Sequence, residues 1–260
     1  MIPSGRPATA GWWGTVQEAA ASFERLLLPN SCIVCDHLVE ARTPDTLVCV
    51  VCRSRLQTAA VGCHRCGQPL PPVGPCRFCL RWPAALRTAR SAVWLGAEAR
   101  EIVHRLKYED CGNLADLAAE AIWRRLTHPG PAALVPIPLG EGRRRTRGYN
   151  QAELIARALG RRWNLPIAGS ALRRARETAS QTALTPEARL ANVAGAFAAT
   201  PRQQPQRAVE AAAVLVDDVM TTGATLAAAA DALAAAGWTL VTAITFARAL
   251  PFEIRALSDR

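Results

Sequence analysis

Eight of the nine cysteines in this 260-residue chain fall into four Cys-x-x-Cys pairs within 48 residues: Cys32/Cys35, Cys49/Cys52, Cys63/Cys66 and Cys76/Cys79. A Cys-x-x-Cys turn points two thiolates at one centre, and two such turns complete a tetrahedral site. The spacings, Cys-x2-Cys-x13-Cys-x2-Cys and Cys-x2-Cys-x9-Cys-x2-Cys, suit zinc ribbons, and Gly67 follows the third pair where a tight knuckle turn needs it. The first residues carry one early arginine, no long apolar run, and acids at Glu18 and Glu24, so the pattern is not that of a secretory signal. Thiols in such a chain are expected to stay reduced and to hold metal rather than form disulfides. The expectation is two structural Zn2+ ions, with an iron–sulfur cluster as the alternative. Sequential pairing is preferred, and a cross-braced order also satisfies the spacing. The module has few apolar residues, so metal should replace much of its core. Cys111 stands apart and reads as a small buried hydrophobe. His37 and His64 lie near the pairs, but the cysteine complement is complete without them.

The second constraint lies at 213–226, Ala-Val-Leu-Val-Asp-Asp-Val-Met-Thr-Thr-Gly-Ala-Thr-Leu. An apolar strand ends in two acids, a hydroxyl-rich turn follows, and an alanine-rich helix begins. Strand, turn and helix N-terminus together make an anion site. Thr221, Thr222 and Thr225 supply hydroxyls. Gly223 lets the backbone approach a ligand, with the Ala224 N–H beside it. Asp217 and Asp218 repel phosphate but accept hydrogen bonds from vicinal sugar hydroxyls and suit Mg2+. A phosphate and a diol one sugar apart describe a ribose 5-phosphate. The bland alternative is a surface turn whose Asp and Thr residues merely cap a helix.

The net charge of +10 is concentrated in residues 131–200, which carry +7, while 201–260 carry −1. A polyanionic ligand or a nucleic acid would account for such a distribution, and so would a solvated basic face. Two Zn(Cys)4 centres would lower the charge to about +6. Thirty of the 31 basic residues are arginine; the exception, Lys107, sits in Leu106-Lys107-Tyr108. A short strand is expected at 91–95, helices at 97–107 and 113–127, a strand at 133–138, and an Arg-rich loop at 140–150 leading into a helix to about 162. Alternating strands and helices predict an α/β fold with a mostly parallel sheet flanked by helices, preceded by the small Cys-rich module. Ligands in such sheets bind beyond the carboxyl ends of strands. The expected organisation is an amphipathic helix within 1–30, a double zinc ribbon at 31–84, a sheet domain at 85–250 and a tail at 251–260. The apolar stretch 225–247 is broken by Asp231 and Gly237 and does not read as a membrane span, so a cytoplasmic location is expected.

The two acids followed by Thr-Thr-Gly-x-Thr resemble the 5-phosphoribosyl-1-pyrophosphate (PRPP) loop of type I phosphoribosyltransferases. The wider series is Leu106-Lys107-Tyr108, Val135-Pro136-Ile137-Pro138, Arg145-x-Arg147-Gly148-Tyr149-Asn150-Gln151-Ala152, Arg174-x-Arg176-x-Thr178-x-x-Gln181, and Arg189-x-x-Asn192-Val193-x-x-Ala196-Phe197. With the cysteine pairs before it and the PRPP loop after it, this series resembles the ComF family of competence-associated, phosphoribosyltransferase-like proteins. The resemblance implies a type I phosphoribosyltransferase-like fold and a role in DNA uptake. It also implies a pyrophosphate-loop region at 136–143 and a PRPP loop at Asp217, Asp218 and 221–225. One feature departs from the 6-oxopurine enzymes: Thr221 stands where they place an Asp base. No Cys precedes Cys32, so a glutamine amidotransferase is not expected.

Two functions follow from the resemblance. In the first, the chain binds PRPP with Mg2+ and transfers phosphoribosyl to a nitrogen nucleophile. Asp217 and Asp218 would hold the diol and metal, 221–225 the 5-phosphate, and Arg143, Arg145, Arg147 and Lys107 the pyrophosphate. In the second, it is a non-catalytic accessory factor whose zinc module and Arg-rich loop contact single-stranded DNA or a competence helicase, with Trp82 and Tyr149 available for base stacking. For Trp82, packing against the ribbon is the preferred reading. The acceptor, the occurrence of turnover and the oligomeric state stay open at this point.

Overall fold

A computed structural model describes residues 31–39, 47–59, 62–70, 74–76, 78–108, 111–176, 188, 192–201 and 212–249. The expected N-terminal helix, the 202–210 segment, the tail, and Thr178, Gln181 and Arg189 lie outside the described residues. These residues divide into two compact units between Arg55 and Leu56.

The first unit is built around a cysteine knuckle. The Asp36 N–H bonds the Cys32 carbonyl at 2.8 Å, and the Cys32 N–H bonds the His37 carbonyl at 2.7 Å. Asp36 closes this turn with φ 57°, a left-handed value that Asp tolerates. A short helix, α1 (Val50–Ser54), follows, and the Cys49 sulfur caps it by accepting from the Cys52 N–H at 3.4 Å.

The second unit contains β1 (Leu86–Trp94), α2 (Ala97–Tyr108), α3 (Leu114–Arg125), β2 (Ala133–Pro136), α4 (Glu141–Arg147), α5 (Gln151–Trp163), β3 (Leu172–Arg174), β4 (Phe197–Ala199), β5 (Ala212–Met220), α6 (Ala224–Ala235) and β6 (Leu240–Arg248). The sheet runs β1-β6-β5-β2 with every pairing parallel, and β3 and β4 form a separate antiparallel ribbon. The α/β class and parallel sheet expected from sequence are observed. β5 is buried along nearly its whole length, as a strand covered on both faces must be. Residues Ala213, Leu215, Val241 and Ala243 share a core with α6, the β3–β4 ribbon and the second set of cysteines. Their alternates, such as Val214 and Ile244, turn to the other face, where α3 and α5 pack together and against the sheet. Both outer edges are covered. Residues 57–59 hydrogen-bond along β1, and Pro166 and Ala168 bond to either side of Leu134 on β2.

Two sequence expectations change. The first strand begins at Leu86, not at residue 91, because β1 spans the full width of β6. The Arg-rich segment expected as a loop is the helix α4. Arginine is a good helix former, and Gly148, at φ 78°, ends the helix in the left-handed conformation that favours glycine. The second set of cysteines in the Cys-rich module also packs into the sheet unit's core.

Arg248 shows why that set belongs there. It is 2% exposed at the end of β6. Its guanidinium donates to Gln68 Oε1 at 2.8 Å and to the Cys66 carbonyl, and lies 4.0 Å from Cys66 Sγ. Burial pulls its pKa down, but the surrounding cysteine sulfurs oppose that. A buried positive charge is sustained here by the negative charge that a thiolate cluster carries. No described helix is long and apolar enough to cross a membrane.

Candidate functional site

Two groups of four cysteines can each hold a metal ion: Cys32, Cys35, Cys49 and Cys52, and Cys63, Cys66, Cys76 and Cys79, with all sulfurs of a group within 4.8 Å of one another. The pairing is therefore sequential. Sulfur separations of 3.7 Å for Cys35–Cys49, 3.6 Å for Cys63–Cys79 and 3.5 Å for Cys66–Cys76 test the fit. Four sulfurs about 2.3 Å from a tetrahedral zinc lie about 3.8 Å apart, whereas a disulfide would need about 2.05 Å. Both sets fit structural zinc. Burial would raise the Cys63 thiol, but the N–H groups of Cys66 and Arg65 turn toward its sulfur and bring its pKa down to about 7. The same balance brings Cys32 to about 6. Cys66, more deeply buried, is pushed up to about 11. Cys111, His37 and His64 join neither group.

A cleft of about 1050 Å3 opens at the carboxyl end of β5. Its walls bring together Lys107, Arg143, Arg145, Arg147, Asp217, Asp218, Thr221 and Thr225, the residues singled out from sequence. Thr222, Gly223 and Ala224 do not line it. They form the turn behind the wall, where Gly223, at φ 77°, starts α6 and offers no side chain to cap it. The Thr222 hydroxyl accepts from the Ala224 N–H at 3.4 Å, and the Ala227 N–H bonds the Gly223 carbonyl at 2.8 Å.

The acids have unequal roles. Lys107, at the end of α2, places Nζ 2.6 Å from Asp218 Oδ2. Burial disfavours the Asp218 carboxylate, but the Lys107 charge and hydrogen bonds from Asp217, Lys107 and Gln151 outweigh it and lower its pKa. Burial also works against the Lys107 ammonium, and the two aspartates overcome it and raise its pKa. Asp217 is different. Burial, and then the charge of Asp218, raise it well above the usual carboxylate range, although its Oδ1 accepts from the Asp218 N–H at 2.9 Å. Proton and charge are thus divided within the pair, with Asp218 ionised against Lys107 and Asp217 the more readily protonated partner.

Sequence reasoning did not single out Gln151. It is 4% exposed, accepts from Arg147 Nη1 at 2.7 Å and reaches Asp218 Oδ1 at 3.5 Å, so its amide links a cation on α4 to an acid on β5. Its neighbours are equally specific. The Tyr149 hydroxyl donates to the Leu106 carbonyl at 2.6 Å, beside Lys107. Asn150 caps α5 by accepting from the Ala152 N–H, and donates to the Ile137 carbonyl at 3.0 Å. The run Tyr149-Asn150-Gln151 therefore fixes the cleft's basic helix to α2, to the loop after β2 and to the acids. Tyr149's anchoring hydroxyl accounts for its position without base stacking.

Trp82 is packed, as preferred from sequence, and not open for base stacking. It is 5% exposed, and its Nε1 donates to the Thr222 carbonyl at 3.1 Å. No described residue of the second ribbon lines the cleft; Trp82 carries the ribbon's contact to the turn.

A double zinc ribbon domain model matches residues 23–80. The DNA utilization protein YhgH of Salmonella typhi is 30% identical over 220 residues, covering 80% of this chain and 92% of that protein. The chain belongs to the ComF family. Its relatives include competence protein F of Haemophilus influenzae, 39% identical over 98 residues, covering 37% of this chain and 41% of that protein. Competence protein ComFC of Bacillus subtilis is 28% identical over 170 residues, covering 58% of this chain and 69% of that protein.

This ComF chain should purify with two zinc ions, counted by plasma mass spectrometry. Cys63→Ser should lose one zinc and, because its set lies in the sheet core, destabilise the sheet unit by at least about 3 kcal/mol in urea. Iron in place of zinc, or a Cys63→Ser sheet unit as stable as the parent, would contradict the assignment.

Proposed function

We propose that the cleft binds a phosphoribosyl ligand, PRPP or ribose 5-phosphate, and that this ComF protein serves DNA uptake in natural competence. The carrying observation is that one cleft collects a hydroxyl-bearing helix N-terminus, two acids and five cations, Lys107, Arg143, Arg145, Arg147 and Arg174. The turn at 221–225 and the start of α6 suit the 5-phosphate, since Thr221 and Thr225 offer hydroxyls and the helix end favours an anion. The acids suit the ribose diol: both accept from hydroxyls, and Asp217, the more readily protonated of the two, can also donate. Arg143, Arg145, Arg147 and Lys107 suit pyrophosphate, and the three arginines project from one short helix.

Mg2+ belongs to this reading only with the ligand. Carboxylates are apt donors, but Asp218 Oδ2 is already held by Lys107, so the protein oxygens alone do not form a cage. The ion would supply charge neutralisation at pyrophosphate. If transfer to a nitrogen nucleophile follows, the chain contributes position and field: the acids hold the sugar, and the arginines accept charge that builds on the leaving pyrophosphate. Thr221, standing where 6-oxopurine enzymes carry an Asp, argues against purine proton abstraction at that position.

A neighbouring cleft of about 450 Å3 favours a second reading, contact with a nucleic-acid strand, because Arg144, Arg173, Arg174 and Arg176 line it. The relatives' names, with their references to DNA utilization and competence, agree with it. A helicase partner remains part of this reading. The two readings are compatible, since the clefts are adjacent along α4.

Calorimetry with PRPP and Mg2+ tests the first. The wild type should bind, and Asp217→Ala/Asp218→Ala should bind at least about tenfold more weakly, as loss of about 1.4 kcal/mol implies. Since metal at Asp217 competes with its proton, the Mg2+-dependent part of the affinity should grow as pH rises. A wild type that binds no PRPP would overturn the reading. For the second, affinity for single-stranded DNA should fall with salt at a slope of roughly −0.7 per phosphate contacted. The slope should shrink in Arg144→Ala/Arg173→Ala, and a flat slope in the wild type would exclude phosphate contact.

A further inference from the structure

The second cysteine set and the turn at 221–225 are joined by one side chain. Trp82 follows Cys79 by three residues, and its backbone N–H bonds the Cys79 carbonyl at 3.2 Å. Arg65, between Cys63 and Cys66, clamps this segment. Its Nη1 donates to the Cys79 carbonyl at 3.0 Å, its Nη2 to the carbonyls of Trp82 and Pro83 at 3.1 and 2.6 Å, and its guanidinium lies 5.9 Å over the Trp82 ring. The indole is therefore fixed from the metal side. On its other side it meets the turn directly. Nε1 donates to the Thr222 carbonyl, and a Cβ added to Gly223 would stand 2.2 Å from Trp82 Cζ2. The ring rests on main chain, with no flexible side chain between, so a shift of the ribbon becomes a shift of the turn.

We propose that Trp82 is the positioning residue of the phosphate turn, and that through it the second metal set and the anion cleft are thermodynamically coupled. The inference deepens the phosphoribosyl reading and rests on it for the identity of the ligand. The physical basis is local. Gly223 holds a left-handed φ at the start of α6, and a glycine there resists little by itself. The indole fills the space behind it and gives the preceding carbonyl a partner, which restricts the turn to the conformation that aims α6 at the cleft. Linkage then requires reciprocity: if the ordered ribbon tightens ligand at the turn, ligand tightens metal in the ribbon by the same factor.

The test uses the full, zinc-loaded chain and its Trp82→Phe variant, which keeps a ring but loses the donor. Trp82→Phe should retain two zinc ions and lose about tenfold in affinity for ribose 5-phosphate, a coupling within the usual range. Its affinity for inorganic pyrophosphate, held by the α4 arginines, should be unchanged. In the wild type, ribose 5-phosphate should slow chelator-driven zinc release from the second set but not from the first. Equal ribose 5-phosphate affinity in both proteins, or equal loss of pyrophosphate affinity, would overturn the positioning role. Backbone hydrogen exchange without ligand separates the two claims. Exchange at 222–226 should be faster in Trp82→Phe, and unchanged exchange would overturn the inference. A wild type that ignores ribose 5-phosphate while the variant still exchanges faster would instead overturn the phosphoribosyl reading and leave the turn's support in place.

Discussion

The sheet unit depends on burying a cysteine cluster inside its hydrophobic core. Cys63, Cys66, Cys76 and Cys79 are all buried among the apolar residues of the sheet, α6 and the β3–β4 ribbon. Four thiolates in an apolar core need a metal to gather their charge, and the metal in turn fixes the backbone that carries Arg65, Gln68 and Trp82. Arg248 completes the arrangement from β6: its guanidinium, deep in the core, is satisfied by Gln68 and by the Cys66 carbonyl and sulfur. Removing the metal would strand Arg248, loosen the Arg65 clamp and leave the Thr222 carbonyl without its indole donor. One interior site thereby supports both the sheet and the turn that faces the cleft.

The cleft itself is organised by charge. Part of the basic excess that the sequence concentrates at 131–200 is delivered to the cleft by α4, whose arginines line it together with the acids of β5. The pairing of Lys107 with Asp218 stabilises the carboxylate that burial alone would neutralise. Asp217, whose carboxylate burial and the charge of Asp218 disfavour, keeps its proton more tightly. The site therefore presents graded rather than uniform acidity, which suits neutral hydroxyls next to anionic phosphates better than it suits a bare cation.

Much of this was legible in the residues, because the features with strict local rules leave strict local patterns. Tetrahedral thiolate sites need paired cysteines, and a strand that ends at an anion-binding helix needs an apolar run, hydroxyls and a glycine. The parallel sheet followed from alternating apolar runs and helical periods. Features set by long-range partners were not legible. Lys107 could be noted as the lone lysine, but its ion pair with Asp218 exists only once α2 and β5 meet. Gln151 reads as an ordinary first-turn helix residue until Arg147 and Asp218 are placed on either side of it. The helix α4 was hidden by its flanking glycines, Gly140, Gly142 and Gly148, which signal a loop although Gly148 is in fact a C-cap. Packing of Trp82 on the ribbon could be expected, but its second contact, with the left-handed Gly223, could not.

The most direct measurement is a crystal structure of the zinc-loaded protein soaked with PRPP and Mg2+. We expect the 5-phosphate within hydrogen-bond reach of the 221–225 turn and of the first N–H groups of α6. The ribose hydroxyls should lie on Asp217 and Asp218, and the pyrophosphate against the arginines of α4. A ligand seated instead among Arg144, Arg173 and Arg176, with the turn at Gly223 empty, would contradict the account.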